Sequence, residues 1–216
     1  IAANLAKRLG AAYLDSGAMY RALTLEAMDK GVDLTDADAL LGLMRSVRID
    51  PDGHDPDNFR IGIDGRDVSD AIRANRVSTN AHYAAQNPPI RELMVARQRD
   101  YAAEVGNVVT EGRDQGTVAF VNADLKIYLD ARAETRARRR QLQLEEAGEY
   151  VSFRQLLEEM NERDRRDKTR DVSPLKCPED AVLLDTSEMT VDEVDERLHE
   201  LVLSRKSDSG QGAKAE

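Results

Sequence analysis

Ala11-Ala12-Tyr13-Leu14-Asp15-Ser16-Gly17-Ala18-Met19-Tyr20-Arg21 is the stretch that decides the fold. Residues 11–14 read as a short buried strand. Asp15-Ser16-Gly17 closes it in polar residues, and 18–30 continues as a helix that Gly31 stops. A buried strand that ends in polar residues and passes straight into a helix is the repeating unit of a parallel sheet covered by helices. In such sheets ligands bind beyond the carboxyl ends of the strands, so the residues at those ends are the first candidates for chemistry.

The same rhythm extends in both directions. Upstream, Ile1, Leu5 and the alanines form one face of a helix that Gly10 ends. Downstream, 36–47 reads as a second helix with Thr35 or Asp36 as its cap. Residues 47–73 break the pattern. Arg48-Ile49-Asp50 and Phe59 to Ile63 read as short strands joined through a Pro/Gly/Asp turn region. Asp64-Gly65 is a hairpin signal, so a small antiparallel sheet is expected as an insert. Helices are expected over 70–84 and 89–104, with Pro88-Pro89 between them. Strands then return at 107–110, 125–129 and 181–184, helices at 132–147, 152–165 and 190–203. The Ser/Gly/Lys-rich tail from Ser204 reads as disordered.

Composition excludes several classes. The 216 residues carry a formal net charge of −10 and no Trp, which argues against a nucleic-acid binder with a broad basic face and stacking aromatics. No apolar run is long enough to span a bilayer, and the first ten residues read as an amphipathic helix rather than a signal peptide. One cysteine, Cys177, excludes an internal disulfide and fits a reducing cytoplasm; with three scattered histidines it leaves no zinc constellation.

Against this acidic background three clusters stand out. At Ser16, which opens a helix after a strand, the hydroxyl suits either a helix cap or a ligand contact. Arg21 has no carboxylate four residues before it and is a candidate anion clamp. Glu111-Gly112-Arg113-Asp114-Gln115-Gly116-Thr117 follows an apolar strand. Its glycines let backbone approach a ligand, and its Arg-Asp pair offers a cation and an acceptor; a tight surface turn has the same composition. Two arginine-rich helical runs follow. Residues 132–140 hold five Arg against Glu134, with Arg132, Arg136, Arg139 and Arg140 on roughly one side. Residues 163–170 hold five cations against two Asp. Guanidinium groups suit bidentate phosphate contacts, although solvated helix faces with internal ion pairs have the same pattern.

Together, Leu14 to Arg21, Glu111 to Thr117, Arg163 to Arg170, Arg91-Glu92-Leu93 and the antiparallel insert at 47–73, in this order, resemble bacterial cytidylate kinase over about residues 1–203. The resemblance implies a P-loop nucleoside-monophosphate kinase fold. It has a parallel core (1–35, 106–162, 176–203), a nucleoside-monophosphate-binding subdomain (36–105), a lid (163–175) and a tail (204–216). It implies an ATP-dependent transfer to CMP or dCMP, with Mg²⁺ accompanying ATP. Ser16, Arg91 and Asp114 would read cytosine. Arg21, Arg113 and Arg170 would hold the monophosphate, and Arg163 and Asp167 would reach the sugar. Arg139 and Arg166 would contact ATP, and Arg113, Arg166 and Arg170 would carry the catalytic charge. A cytoplasmic monomer without nucleic-acid or membrane partners is expected. A kinase for UMP or AMP, or a non-catalytic nucleotide-binding protein, are the alternatives.

The sequence departs from the family in one respect. It contains no Gly-x-x-x-x-Gly-Lys-[Ser/Thr] loop, and its first residues resemble the helix that follows one. A truncated start is therefore expected, lacking the central strand between 107–110 and 125–129. Such a chain is expected to be unstable and inactive as written, and to recover both folding and activity when strand and loop are restored.

Overall fold

The computed structural model describes residues 1–146 and 148–212. It divides into two compact units, Ile1–Phe120 and the chain from Val121 onward.

The first unit opens with α1 (Ala2–Leu9), which Gly10 ends at φ 61°. The Ala11 amide then returns to the Ala6 carbonyl at 2.9 Å, satisfying an end-of-helix acceptor. β1 (Ala12–Asp15) follows and runs directly into α2 (Ser16–Asp29). α2 is buried on nearly every side, from Ala18 through Ala27, which makes it the central helix of this unit. α3 (Ala37–Ser46) is capped by the Asp36 side chain, which accepts from Asp38 N and Ala39 N.

The insert is the expected antiparallel sheet. β2 (Ile49–Asp52), β3 (Arg60–Ile63) and β4 (Arg66–Asp67) pair in the order β2-β3-β4. Asp64 and Gly65 both have positive φ, 50° and 81°, the requirement of the tight hairpin turn read from the sequence. The insert also closes an edge of β1. Ala12 N donates towards Asn107, so the Tyr13 amide points away from that strand, and it donates to Gly53 O at 2.9 Å.

The helix expected over 70–84 is broken into a 3₁₀ turn (Ala71–Arg73), α4 (Asn75–Asn80) and α5 (His82–Gln86). Its short polar side chains explain the break. Thr79 Oγ1 donates to Asn75 O, Asn80 Nδ2 donates to Arg76 O, and the His82 ring bonds Thr79 O, all competing with continuous helix. α6 (Pro88–Val105) then runs unbroken, capped by Asn87, with proline at its start and Gly106 (φ 78°) at its end. β5 (Val108–Glu111) lies parallel to β1, with Asp15 opposite Glu111.

In the second unit β6 (Ile127–Asp130) pairs in parallel with β7 (Val182–Asp185), Asp130 opposite Asp185. β5 and β6 thus fall in separate ladders. α7 (Ala133–Glu146) and α8 (Phe153–Thr169) share a small core of Ala137, Leu144 and Leu156. Ser152 caps α8 as expected, but the helix runs to Thr169, past the expected end near 165. α9 (Val191–Gly212) begins with a reciprocal capping box. Glu193 N donates to Thr190 Oγ1, and Thr190 N donates to Glu193 Oε2. The tail expected as disordered from Ser204 is helical as far as Gly212. Arg205 Nε donates to Asp124 O at 3.0 Å, and this long-range tie supports the extra turns. Residues 213–216 of that expected tail lie outside the described residues.

Candidate active site

The strand ends of the first unit form a bonded cluster. Ser16 Oγ donates to Glu111 O at 2.7 Å and ties the end of β1 to the end of β5. The hydroxyl is therefore not the helix cap. Asp15 is, its Oδ1 accepting from Ala18 N at 3.0 Å. The other Asp15 oxygen accepts from Arg21 Nη2 at 2.6 Å. This corrects the reading of Arg21 as a cation without a carboxylate: its partner sits six residues back, at the bend where the strand becomes the helix.

Gly112 fits because it has no side chain. A Cβ there would collide with Ser16 Oγ and lie 2.9 Å from Gln115 Cγ. A single π turn, Gln115–Ala119, follows Asp114, and such turns recur at functional sites. Arg99 holds its far end, donating to Val118 O and Ala119 O at 2.8 Å each.

Asp114 is buried, and its Oδ2 accepts from Arg91 Nη2. The two side chains are 8% and 5% exposed. Arg91 also donates from Nη1 to Ala85 O at 2.9 Å and lies 5.6 Å from the Tyr20 ring centre. A buried carboxylate without a partner is costly, and Arg91 supplies that partner. Two of the three expected base-reading residues, Arg91 and Asp114, thus meet as one unit, and Ser16 packs against the same loop through Gly112. Arg113 lies on the exposed side of this loop.

Tyr13 and Glu111 form a contact that sequence reasoning gave no role. Tyr13 Oη donates to Glu111 Oε1 at 2.6 Å. Burial, with the Glu111 charge next, pushes the Tyr13 hydroxyl well above the ordinary phenol range. Glu111 was visible as the first residue of its motif, but nothing in the sequence linked it to position 13.

The second unit holds the two arginine-rich runs. On α7, Arg136 makes a two-pronged contact with Asp164 at 3.0 and 2.5 Å, and its Nε donates to Ala131 O at 3.0 Å. Arg139 donates from Nη2 to Thr186 O at 2.6 Å and to Met189 O at 2.9 Å. Arg132 pairs with Glu188. These three arginines expected on one face therefore anchor neighbouring segments. Along α8, Arg163 lies 3.9 Å from Asp167, Arg165 pairs with Glu162 at 2.7 Å, and Arg166 lies 3.8 Å from the same Glu162. Arg170 Nε donates to Ser173 O at 2.7 Å, and Leu175 N returns to Asp167 O at 2.7 Å, folding residues 170–175 back on the helix end. Arg163 is exposed, while Arg166, Asp167 and Arg170 are half-buried.

Comparison with known proteins gives a consistent match. The family model for cytidylate kinase matches residues 1–204. A cytidylate kinase of Rhodococcus opacus is 47% identical over 211 residues, spanning 96% of this chain and 90% of its own length. That of Rhodococcus jostii is 46% identical with the same coverage. That of Nocardia farcinica is 44% identical over 207 residues, 96% of this chain and 89% of its own.

Proposed function

The chain belongs to the cytidylate kinase family, and we propose that it transfers the γ-phosphoryl group of ATP to CMP or dCMP. An enzyme of this type acts on nucleotides. Among the described residues no helix is long and apolar enough to cross a membrane.

The observation that carries the base assignment is the buried Asp114 held by Arg91. One oxygen of Asp114 faces Arg91, which leaves the other to accept from the exocyclic amine of cytosine. Uracil presents a carbonyl oxygen at that position, and two acceptors repel. Ser16 spends its proton on Glu111 O, so its oxygen can accept as well.

Arg21, Arg113 and Arg170 would hold the monophosphate. In the transfer, an oxygen of the CMP phosphate attacks the γ-phosphorus in line. The bond to the β–γ bridging oxygen breaks, and ADP leaves. Charge passes over the phosphoryl oxygens, and Arg113, Arg166 and Arg170 would offset it. Arg163 and Asp167 would position the sugar, and Arg139 and Arg166 would serve ATP. Such a reaction asks mainly for placement and charge neutralisation. Among the described residues no three His, Cys, Asp or Glu side chains are placed to hold a metal ion. Mg²⁺ would enter with ATP as part of the substrate complex. A lid over 163–175 and a monomeric, cytoplasmic state belong to the same proposal.

The test is a titration of CMP, dCMP, UMP and AMP into the protein, with ATP-dependent phosphorylation followed in parallel. Preference for CMP and dCMP supports the reading. Equal or tighter binding of UMP or AMP makes the chain a kinase of another monophosphate, and CMP binding without any transfer fits either a binding protein or the inactivity expected of a sequence without the Gly-rich loop.

A further inference from the structure

A small cavity of about 40 Å³ lies beside the start of α2. Its walls include Asp15, Ala18, Arg21, Ile61, Ile72 and Arg73. The floor is apolar: Ala18, Ile61 and Ile72 are each no more than 3% exposed. Two arginines line it, and they differ in one respect. Arg21 is paired with Asp15 at 2.6 Å. Arg73, among the described residues, has no ion pair or side-chain hydrogen bond.

That independence is selective. Residues 47–73 hold seven Asp and four Arg. Arg48 pairs with Asp50, Arg60 with Asp67, and Arg66 with Glu26 and Asp29. Arg73 alone stays out of these pairs, although Asp70 is three residues away. Its position is fixed, because Ile72 beside it is 3% exposed and its own amide donates to Asp70 O at 3.0 Å. Charge bookkeeping explains why a cation would be kept there. The Arg21–Asp15 pair is neutral as a whole, so a phosphate carrying up to two negative charges meets no net positive charge from it. An apolar floor strengthens whatever charge is present, attractive or repulsive.

We infer that Arg73 is a further substrate-binding residue, adding its guanidinium to those of Arg21 and Arg113 at the phosphate group of the acceptor nucleotide, on the Arg21 side. The inference rests on the proposed function for the placement of that phosphate near Arg21.

The test compares CMP with cytidine, which has the same base and sugar without the phosphate. Both are titrated into the wild-type protein, Arg73→Gln and Arg73→Lys, with circular dichroism confirming that each variant is folded. Charge-assisted contacts to phosphate are strong enough that Arg73→Gln should weaken CMP by about tenfold. Cytidine should change by less than twofold, and Arg73→Lys should recover part of the loss. Arg73→Gln binding CMP as the wild type does would overturn the inference, and so would an equal loss of CMP and cytidine. A wild-type protein that binds cytidine but not CMP would sink it as well. Failure of the wild type to prefer cytosine nucleotides would instead sink the proposed function on which it rests.

Discussion

Arg91 and Asp114, 23 residues apart, pair across the first unit with side chains only 5% and 8% exposed. Asp114 sits beyond the end of β5 and Arg91 near the start of α6, so one contact locks the loop after β5 to the longest helix of that unit.

Removing one member should therefore cost stability as well as base choice. Asp114→Asn should lower unfolding free energy by about 3–5 kcal/mol, the usual cost of orphaning a buried charge. It should also erase discrimination between CMP and UMP, because an amide can donate where the carboxylate only accepts. Replacing both partners with apolar residues of similar size (Arg91→Met with Asp114→Leu) should recover most of the stability and none of the base preference. Urea unfolding and CMP/UMP titrations read the two effects separately.

Gly112 supplies a second test. Gly112→Ala puts a Cβ into Ser16 Oγ and against Gln115. The clash should cost about 1–3 kcal/mol and dislodge Ser16 from Glu111 O, weakening CMP binding. Adding Ser16→Ala should restore part of the stability without restoring binding. Full wild-type behaviour of Gly112→Ala would show that the loop and the β1 end are not packed as described.

How far the sequence could be read follows from which of these relations are local. The strand-to-helix passage at 11–30, the Asp64-Gly65 hairpin and the Ser152 and Thr190 caps depend on neighbours within a few residues, and each stands where it was expected. Arg21 did not, because i,i+4 rules presuppose a helix on both sides, and its partner Asp15 lies six back across a strand end. The 70–84 segment kept its helical pattern of apolar residues, but back-bonding by Thr79 and Asn80 divided it. The extra length of α9 carries Arg205 to Asp124, 81 residues away, a contact which no window of sequence contains. Within the site, Arg91, Asp114 and Ser16 were legible as residues, but their mutual bonds were not.

Tyr13 gives a pH prediction. Its folded hydroxyl is raised above the ordinary value of 10.0 by burial and the Glu111 charge. The neutral phenol is thus favoured by folding. Its contribution is complete below pH 10 and declines as pH rises beyond that point, where the unfolded chain ionises and the folded one resists. Unfolding free energy of the wild type should fall between pH 10 and 12 more steeply than that of Tyr13→Phe. Parallel curves for the two proteins would contradict the half-buried Tyr13–Glu111 contact.

The proposed lid makes a further prediction. Amides of residues 163–172 should exchange slowly with solvent only when CMP and a non-hydrolysable ATP analogue are both present, as in closing segments that exclude water. Protection unchanged by ligands would remove the lid from the proposal and leave α8 as a fixed helix end.

The central claim, that a buried Asp114 held by Arg91 reads cytosine, is tested most directly by calorimetric titration of CMP and UMP into the wild type and Asp114→Asn under identical conditions. The structure predicts that the wild type binds CMP at least about tenfold more tightly than UMP, the scale of one lost polar contact with an acceptor left facing another. It also predicts that this ratio falls to near unity in Asp114→Asn. A wild-type preference for CMP that survives intact in the variant would contradict it.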